Sequence, residues 1–178
     1  ISRQAAGLCR EMTQLLPEGE PFQSTLIAAP PGAGKTTLLR EMVAALSNGS
    51  EERAPLRVGI VDERGELAGM YRGVPQLDVG FHTDVLDSCP KTLGIPMLMR
   101  SANPQVIAVD EITTAEDLTA MAAAANCGVA LLATIHALDE EELRRKPLYP
   151  VLAASQVFRR LITISVEAGQ RRYQVRPL

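Results

Sequence analysis

The chain has 178 residues, a formal charge of −3, 46% hydrophobic residues and no tryptophan. That length is enough for one domain with a proper core. No apolar run reaches the roughly 18 residues a membrane-spanning helix needs, and no signal peptide is expected. Cys9, Cys89 and Cys127 are scattered without a C-x-x-C pair, which suits reduced thiols in a cytosolic protein. His82 and His136 lie far apart in sequence, so no zinc site is expected. Charge is uneven. Residues 134–178 are net basic, with Arg144, Arg145, Arg159, Arg160, Arg171 and Arg172. A solvated rim is the plain reading of that tail, and a partner surface is the alternative. Aromatic residues make up only 3% of the chain, which gives little support to base stacking on a nucleic acid.

Ile1, Ala5, Leu8, Met12 and Leu15 recur at helical spacing, and Pro17 and Gly19 end the pattern. The chain starts inside this helix, so residues 1–19 read as a lead-in helix or linker from a missing amino-terminal domain, and 20–178 as one folded domain. Ser24 to Ala28 reads as a buried strand. A glycine loop follows, then a helical run from Thr36 to Leu46 closed by Asn48-Gly49-Ser50. Leu56 to Asp62 is a second strand. Residues 63–90 show no clear period and read as a long irregular stretch, the kind that is usually functional. A helix is expected over Pro96–Ser101 or from an earlier start. Val106–Asp110 is a third strand, Thr114–Asn126 an alanine-rich helix and Val129–Thr134 a fourth strand. Short helices are expected over Asp139–Arg145 and Val151–Val157. Arg160–Glu167 and Arg171–Arg176 flank Gly169-Gln170 as a closing hairpin. Strands alternating with helices predict a mostly parallel α/β sheet. Its polar clusters should gather at the carboxyl ends of the strands.

The loop Ala29-Pro30-Pro31-Gly32-Ala33-Gly34-Lys35-Thr36 sits between a strand and a helix, which is the setting of a P-loop. Small residues let backbone N–H groups curl around phosphate oxygens, and the helix N-terminus adds partial positive charge. Pro31, Gly32, Ala33, Gly34, Lys35, Thr36 and Thr37 are therefore the candidate nucleotide-binding residues. Lys35 would reach the β- and γ-phosphates, and the Thr36 hydroxyl would help hold Mg²⁺. Ala29 stands where the motif has its first glycine. If that position needs a positive φ, alanine is strained there. Val106 to Glu111 is an apolar strand ending in two acids. Asp110 would hold Mg²⁺, and Glu111 would orient or deprotonate an attacking water. A kinase acceptor would not need Glu111, so its presence favours hydrolysis. Thr134 and His136 end the fourth strand. With strand order 5-1-4-3-2 they would lie beside Asp110 and could sense the γ-phosphate. Asp62, Glu63 and Glu66 end the second strand. They could bind metal-linked water, pair with Arg64 and Arg72, or form a solvated acidic turn. Arg64, Arg72 and Arg100 are candidates for a cation on the γ-phosphate, and spacing does not choose among them.

VDERGELAGMYRGVPQLDVGFHTDVLDSCPK, LMRSANPQVIAVDEI and NCGVALLATIHA resemble the stage III sporulation protein AA family, from about residue 20 to 165. That family is similar to the ATPases of type II and type IV secretion systems and to pilus retraction motors. The strings GVPQ-x-DVG and TDVLD-x-CPK are more specific than the P-loop. The resemblance implies a RecA-like P-loop NTPase fold of the ASCE type, with order 5-1-4-3-2 and a carboxyl-terminal hairpin. It also implies ATP and Mg²⁺ as ligands, with Lys35, Glu63, Glu66, Glu111 and His136 as working residues. Further implications are a homo-hexamer when full length, ATP held between subunits, and a membrane-protein partner. The expected place is cytoplasmic, on the mother-cell face of a sporulation channel. Three positions depart from the family pattern. His82 stands where Arg is expected, Thr113 where Gly is usual, and Ala29 loosens the P-loop. A RecA-like ATPase acting on single-stranded nucleic acid is the rival reading. A nucleotide-binding regulator with little hydrolysis is a third.

Overall fold

A computed structural model describes residues 12, 14–17, 19–167 and 169–178. Most of the expected lead-in helix, with Cys9, lies outside the described residues. The elements in order are β1 (Thr25–Ala29), α1 (Lys35–Asn48), β2 (Val58–Asp62), β3 (Met70–Tyr71), β4 (Val74–Pro75), β5 (Thr83–Asp87) and α2 (Lys91–Ser101). There follow β6 (Val106–Glu111), α3 (Ala115–Asn126), β7 (Ala130–His136), α4 (Glu140–Arg145), α5 (Tyr149–Ser155), β8 (Arg160–Glu167) and β9 (Gln170–Pro177).

Seven strands form one sheet in the order β5-β2-β6-β7-β1-β8-β9. All neighbours are parallel except β8 with β9, which are antiparallel. The five strands read from sequence keep the expected order 5-1-4-3-2. The apolar runs are buried on both faces, as parallel strands require. Their side chains alternate between two cores. Leu26 and Ala28 of β1, Ile107 and Val109 of β6, and Leu131 and Ala133 of β7 face one side, with Ile95, Leu98, Leu118 and Met121 of α2 and α3. Ile27, Val106, Ala108 and Leu132 face the other side, with Leu38, Leu39, Met42 and Leu46 of α1. A period of two in the strands therefore builds a three-layer α/β/α domain.

One expectation needs correction, and the allowed earlier start of the third helix is fixed. The stretch 63–90 is not irregular throughout. It holds the small β3–β4 hairpin and β5, which adds an edge strand parallel to β2. In TDVLD no residue is fully buried, so the strand has no continuous apolar run to betray it. The third helix starts at Lys91, five residues before Pro96. That proline is tolerated inside α2 because the carbonyl its N–H would have served belongs to exposed Thr92. Within α2, Gly94 lets the helix sit directly on β2. A Cβ there would fall 2.6 Å from Val61 Cγ1.

The helix ends explain two departures. Thr114 caps α3 by accepting from the Asp117 N–H at 3.1 Å, and Asp117 answers by accepting from the Thr114 N–H at 3.1 Å. Thr113 donates both its N–H and its hydroxyl to the same carboxylate, so threonine here extends the cap. His82 lies at the carboxyl end of α1. Its backbone N–H donates to Ser47 Oγ at 2.7 Å, and its Nδ1–H to the Ser47 carbonyl at 3.0 Å.

Candidate functional site

β7 separates β1 from β6, which places the tip of one strand between the glycine loop and the acidic strand end. The register pairs Ala29 with His136, and Glu111 with Thr134. The β6–β7 register shifts between Val109 and Glu111, so Asp110 falls at an irregularity. The cleft above this edge holds about 380 Å³, lined by the loop with Lys35, Thr36 and Thr37, by Arg64 and Glu66, by Asp110 and Glu111, by Thr134 and His136, and by Arg171.

Ala29 is the last residue of β1 and fully buried, and it is not among the positive-φ residues. The feared strain is absent, because the left-handed positions of the loop fall on Gly32 (φ 75) and Gly34 (φ 96). Gly34 is the N-cap of α1, and its carbonyl accepts from the Leu38 N–H at 2.9 Å. Ala33 packs inward at 4% exposure rather than lining the cleft.

Lys35 is 7% exposed and turns back into the loop. Its Nζ donates to the carbonyls of Ala29 and Pro30, each at 3.0 Å, and meets Nδ1 of His136 at 2.8 Å. An ammonium has only donors, so Nδ1 accepts and the neutral ring carries its proton on Nε2. That nitrogen lies 3.2 Å from Glu111 Oε1, while Glu111 Oε2 lies 3.3 Å from Arg64 Nη1. A single chain of contacts thus runs Lys35–His136–Glu111–Arg64. Burial pushes the Lys35 amine below its ordinary value, against the pull of Glu111 and Asp110. Burial pushes the Asp110 carboxyl up. A hydroxyl bond from Thr134, at 3.2 Å to Oδ1, opposes this, and the nearby Glu66 and Asp62 charges reinforce it.

The second-strand acids separate. Glu66 lines the cleft. Asp62 is fully buried and accepts from the N–H groups of Glu66, Leu67 and Ala68 at 2.9, 3.0 and 2.9 Å. Glu63 pairs with Lys91, at the start of α2, and takes no part in lining the cleft. Of the three candidate arginines, Arg64 lies in the cleft. Arg72 stacks on Tyr71 with its Cζ 5.4 Å from the ring centroid, and Arg100 lies in the last turn of α2. Most of the basic tail is a paired surface. Arg144 and Arg145 bond to Glu140 and Glu141 one turn back on α4. Arg171 is the exception that sequence reasoning missed. The hairpin was legible, but nothing local in QRRYQ says that its first arginine reaches the glycine loop.

The donor set suits a nucleotide with a hard cation. Among the described residues no group of three or more His, Cys, Asp or Glu side chains is arranged to hold a metal. A Thr36 hydroxyl and one carboxylate, Asp110, match the way Mg²⁺ is usually held, through few protein oxygens plus phosphates and water.

The family described as "Sporulation stage III, protein AA" matches residues 1–175. The stage III sporulation protein AA of Bacillus subtilis (strain 168) is 38% identical over 169 residues, covering 95% of this chain and 55% of that protein. Among solved structures, the ATPase DotB of Legionella pneumophila superposes with a TM-score of 0.63 at 19% identity, over 89% of this chain and 46% of that one. The VirB11 ATPase from the Brucella suis type IV secretion system, in complex with sulphate, gives a TM-score of 0.61 at 16% identity. That match covers 96% of this chain and 51% of that one. The chain spans about half the length of these relatives. The fold is that of the P-loop secretion ATPases. By sequence, the chain belongs to the sporulation stage III protein AA family.

Proposed function

We propose that this chain is the Mg²⁺-dependent ATP-hydrolysing domain of a secretion-type motor. The observation that carries the reading is the His136 bridge. One imidazole touches both the loop lysine and the carboxylate that would activate water. Lys35, Gly32, Gly34, Thr36 and Thr37 bind the phosphates, Lys35 by exchanging one of its present acceptors for a phosphate oxygen. Thr36 and Asp110 would hold Mg²⁺, which would supply positive charge against the negative charge that develops on the phosphates. Glu111 takes the proton of the attacking water. His136 relays the state of Lys35 to Glu111, because a change at Nδ1 alters what Nε2 can donate. Glu66 and Arg64 border the same cleft. Glu63 supports it indirectly, by fixing α2 through Lys91.

The family context extends this reading. The full-length protein acts as a hexameric ring at the mother-cell face of a sporulation membrane, against a membrane-protein partner. Residues 1–19 connect it to an amino-terminal domain. Among the described residues no helix is long and apolar enough to cross a membrane, which is compatible with a peripheral position. Steady-state ATPase assays of the wild type and Glu111→Gln test the chemistry. The expected result is a Mg²⁺-dependent wild-type rate that falls about 100-fold or more in the variant. Equal rates near zero would sink the reading.

A further inference from the structure

We infer that Arg171 is a phosphate ligand supplied by the carboxyl-terminal hairpin of the same chain, so that the hairpin registers whether the glycine loop is loaded. The inference rests on the nucleotide-binding reading above and adds to it a residue from outside the loop and strand ends. The guanidinium lies directly over the loop. A Cβ built on Gly34 would fall 2.6 Å from both Cζ and Nη2 of Arg171, and 2.9 Å from Nε. Arg171 also lines the cleft that holds Lys35, Asp110 and Glu111.

The other two cations of the cleft are committed elsewhere. Lys35 spends its contacts on Ala29, Pro30 and His136, and Arg64 lies on Glu111. Glu41 on α1, outside the cleft lining, is near enough to feel the Arg171 charge, but the guanidinium itself lies over the loop backbone. Its planar fork of N–H donors fits two phosphate oxygens at once, which an ammonium cannot match. The scaffold makes the contact mechanically useful. Arg171 pairs with Val166 across the hairpin, and β8 pairs in parallel with β1, the strand that feeds the loop. Hairpin and loop therefore share one edge of the sheet. Arg171 is an exposed residue, so its head group can shift when an anion arrives. Gly34 is constrained twice, by its left-handed φ of 96° and by the guanidinium above it.

The test is equilibrium titration of wild type, Arg171→Ala and Arg171→Lys with ATP and ADP, together with amide hydrogen exchange of β9 with and without ATP. Loss of a bidentate charged contact should weaken ATP binding by about 10-fold to 100-fold in the alanine variant, with the lysine variant between. ATP should protect β9 amides in the wild type and not in Arg171→Ala. ATP binding by Arg171→Ala as tight as the wild type's, or tighter, overturns the inference. Tighter binding is what an arginine that merely plugs the loop would give. If wild type itself binds no ATP at millimolar concentration, the nucleotide reading falls and the inference falls with it. If wild type binds and only the variants behave unexpectedly, the inference alone is lost. Thermal melts check the fold of each variant, and the lysine variant with the exchange measurement carries the test should the alanine variant not fold.

Discussion

Two aspartates on neighbouring strands have the same chemistry and opposite employment. Asp62 and Asp110 each stand one residue past the last registered pair of β2 and β6, Val61 with Val109. Both are buried, at 0% and 8% exposure. Asp62 has its oxygens filled by three backbone N–H groups of the segment that follows it. Asp110 has fewer donors, the Thr134 hydroxyl and the Glu111 backbone N–H, in a setting whose burial raises its pKa. What separates scaffold from site is therefore the supply of local donors. A carboxylate saturated by the backbone holds a loop in place. One left short of donors in a dry cleft has capacity for a cation.

The largest effect is expected at the saturated partner. Asp62→Ala strands three N–H groups, two of them on residues with no exposure at all, Leu67 and Ala68. A loss of about 3–5 kcal/mol is expected, enough to unfold a domain of ordinary stability. Urea titration reads it. A variant within about 1 kcal/mol of wild type would break the comparison, since Asp62 would then be no more structural than Asp110.

Asp110→Asn should do the reverse. Turnover should fall about 100-fold or more, because the amide cannot serve as the anionic metal ligand. Stability without ligand should rise by about 1 kcal/mol, or about 2–4 °C in Tm. The sign follows from the raised pKa of Asp110. The folded state disfavours its charged form, so stability is full at low pH and is lost as pH climbs through the folded value. The advantage of the asparagine variant should therefore be present at neutral pH and vanish on acidification. An advantage that grows on acidification would show that Asp110 is stabilised as an anion.

His136→Ala breaks the bridge between Lys35 and Glu111 while leaving both of those side chains in place. A fall in turnover of about 10-fold to 100-fold is expected, with ATP affinity changed less. Equal losses in binding and turnover would make His136 a positioning group for Lys35 alone.

How much of this was legible follows from the same physics. The buried parallel strands could be read because β1, β2, β6 and β7 are near-continuous apolar runs, whereas their order came from the family resemblance. β5 could not, since TDVLD buries no residue fully and depends on β2 for its pairing. Lys35, Asp110, Glu111 and His136 could be placed, because a parallel sheet sends strand ends to one edge. The roles of Asp62 and Glu63 could not. DERGEL has acids at any register, and only the turn through Gly65 decides which of them meets backbone N–H groups. Arg171 was out of reach for a different reason. It reaches the loop through a hairpin more than 130 residues away in sequence, which no local pattern encodes.

The smallest effect is expected at Glu63, and it sharpens the distinction most. Glu63 sits next to Asp62 in sequence and on the same strand end, so composition alone makes it as good a site residue as Glu111. Its partner is instead Lys91, which is 5% exposed while Glu63 is 42% exposed. Glu63→Gln keeps an acceptor for that amine and removes one charge at a half-open position. Stability should drop by about 1 kcal/mol or less, and less still at high salt. ATP turnover should stay within about twofold of wild type, because no cleft-lining atom is changed. A turnover loss comparable to that of Asp110→Asn, in a variant with an unchanged Tm, would mean that the Glu63 carboxylate leaves Lys91 and enters the cleft when nucleotide binds. The acids of β2 would then work alongside Asp110 rather than merely shape the wall beside it.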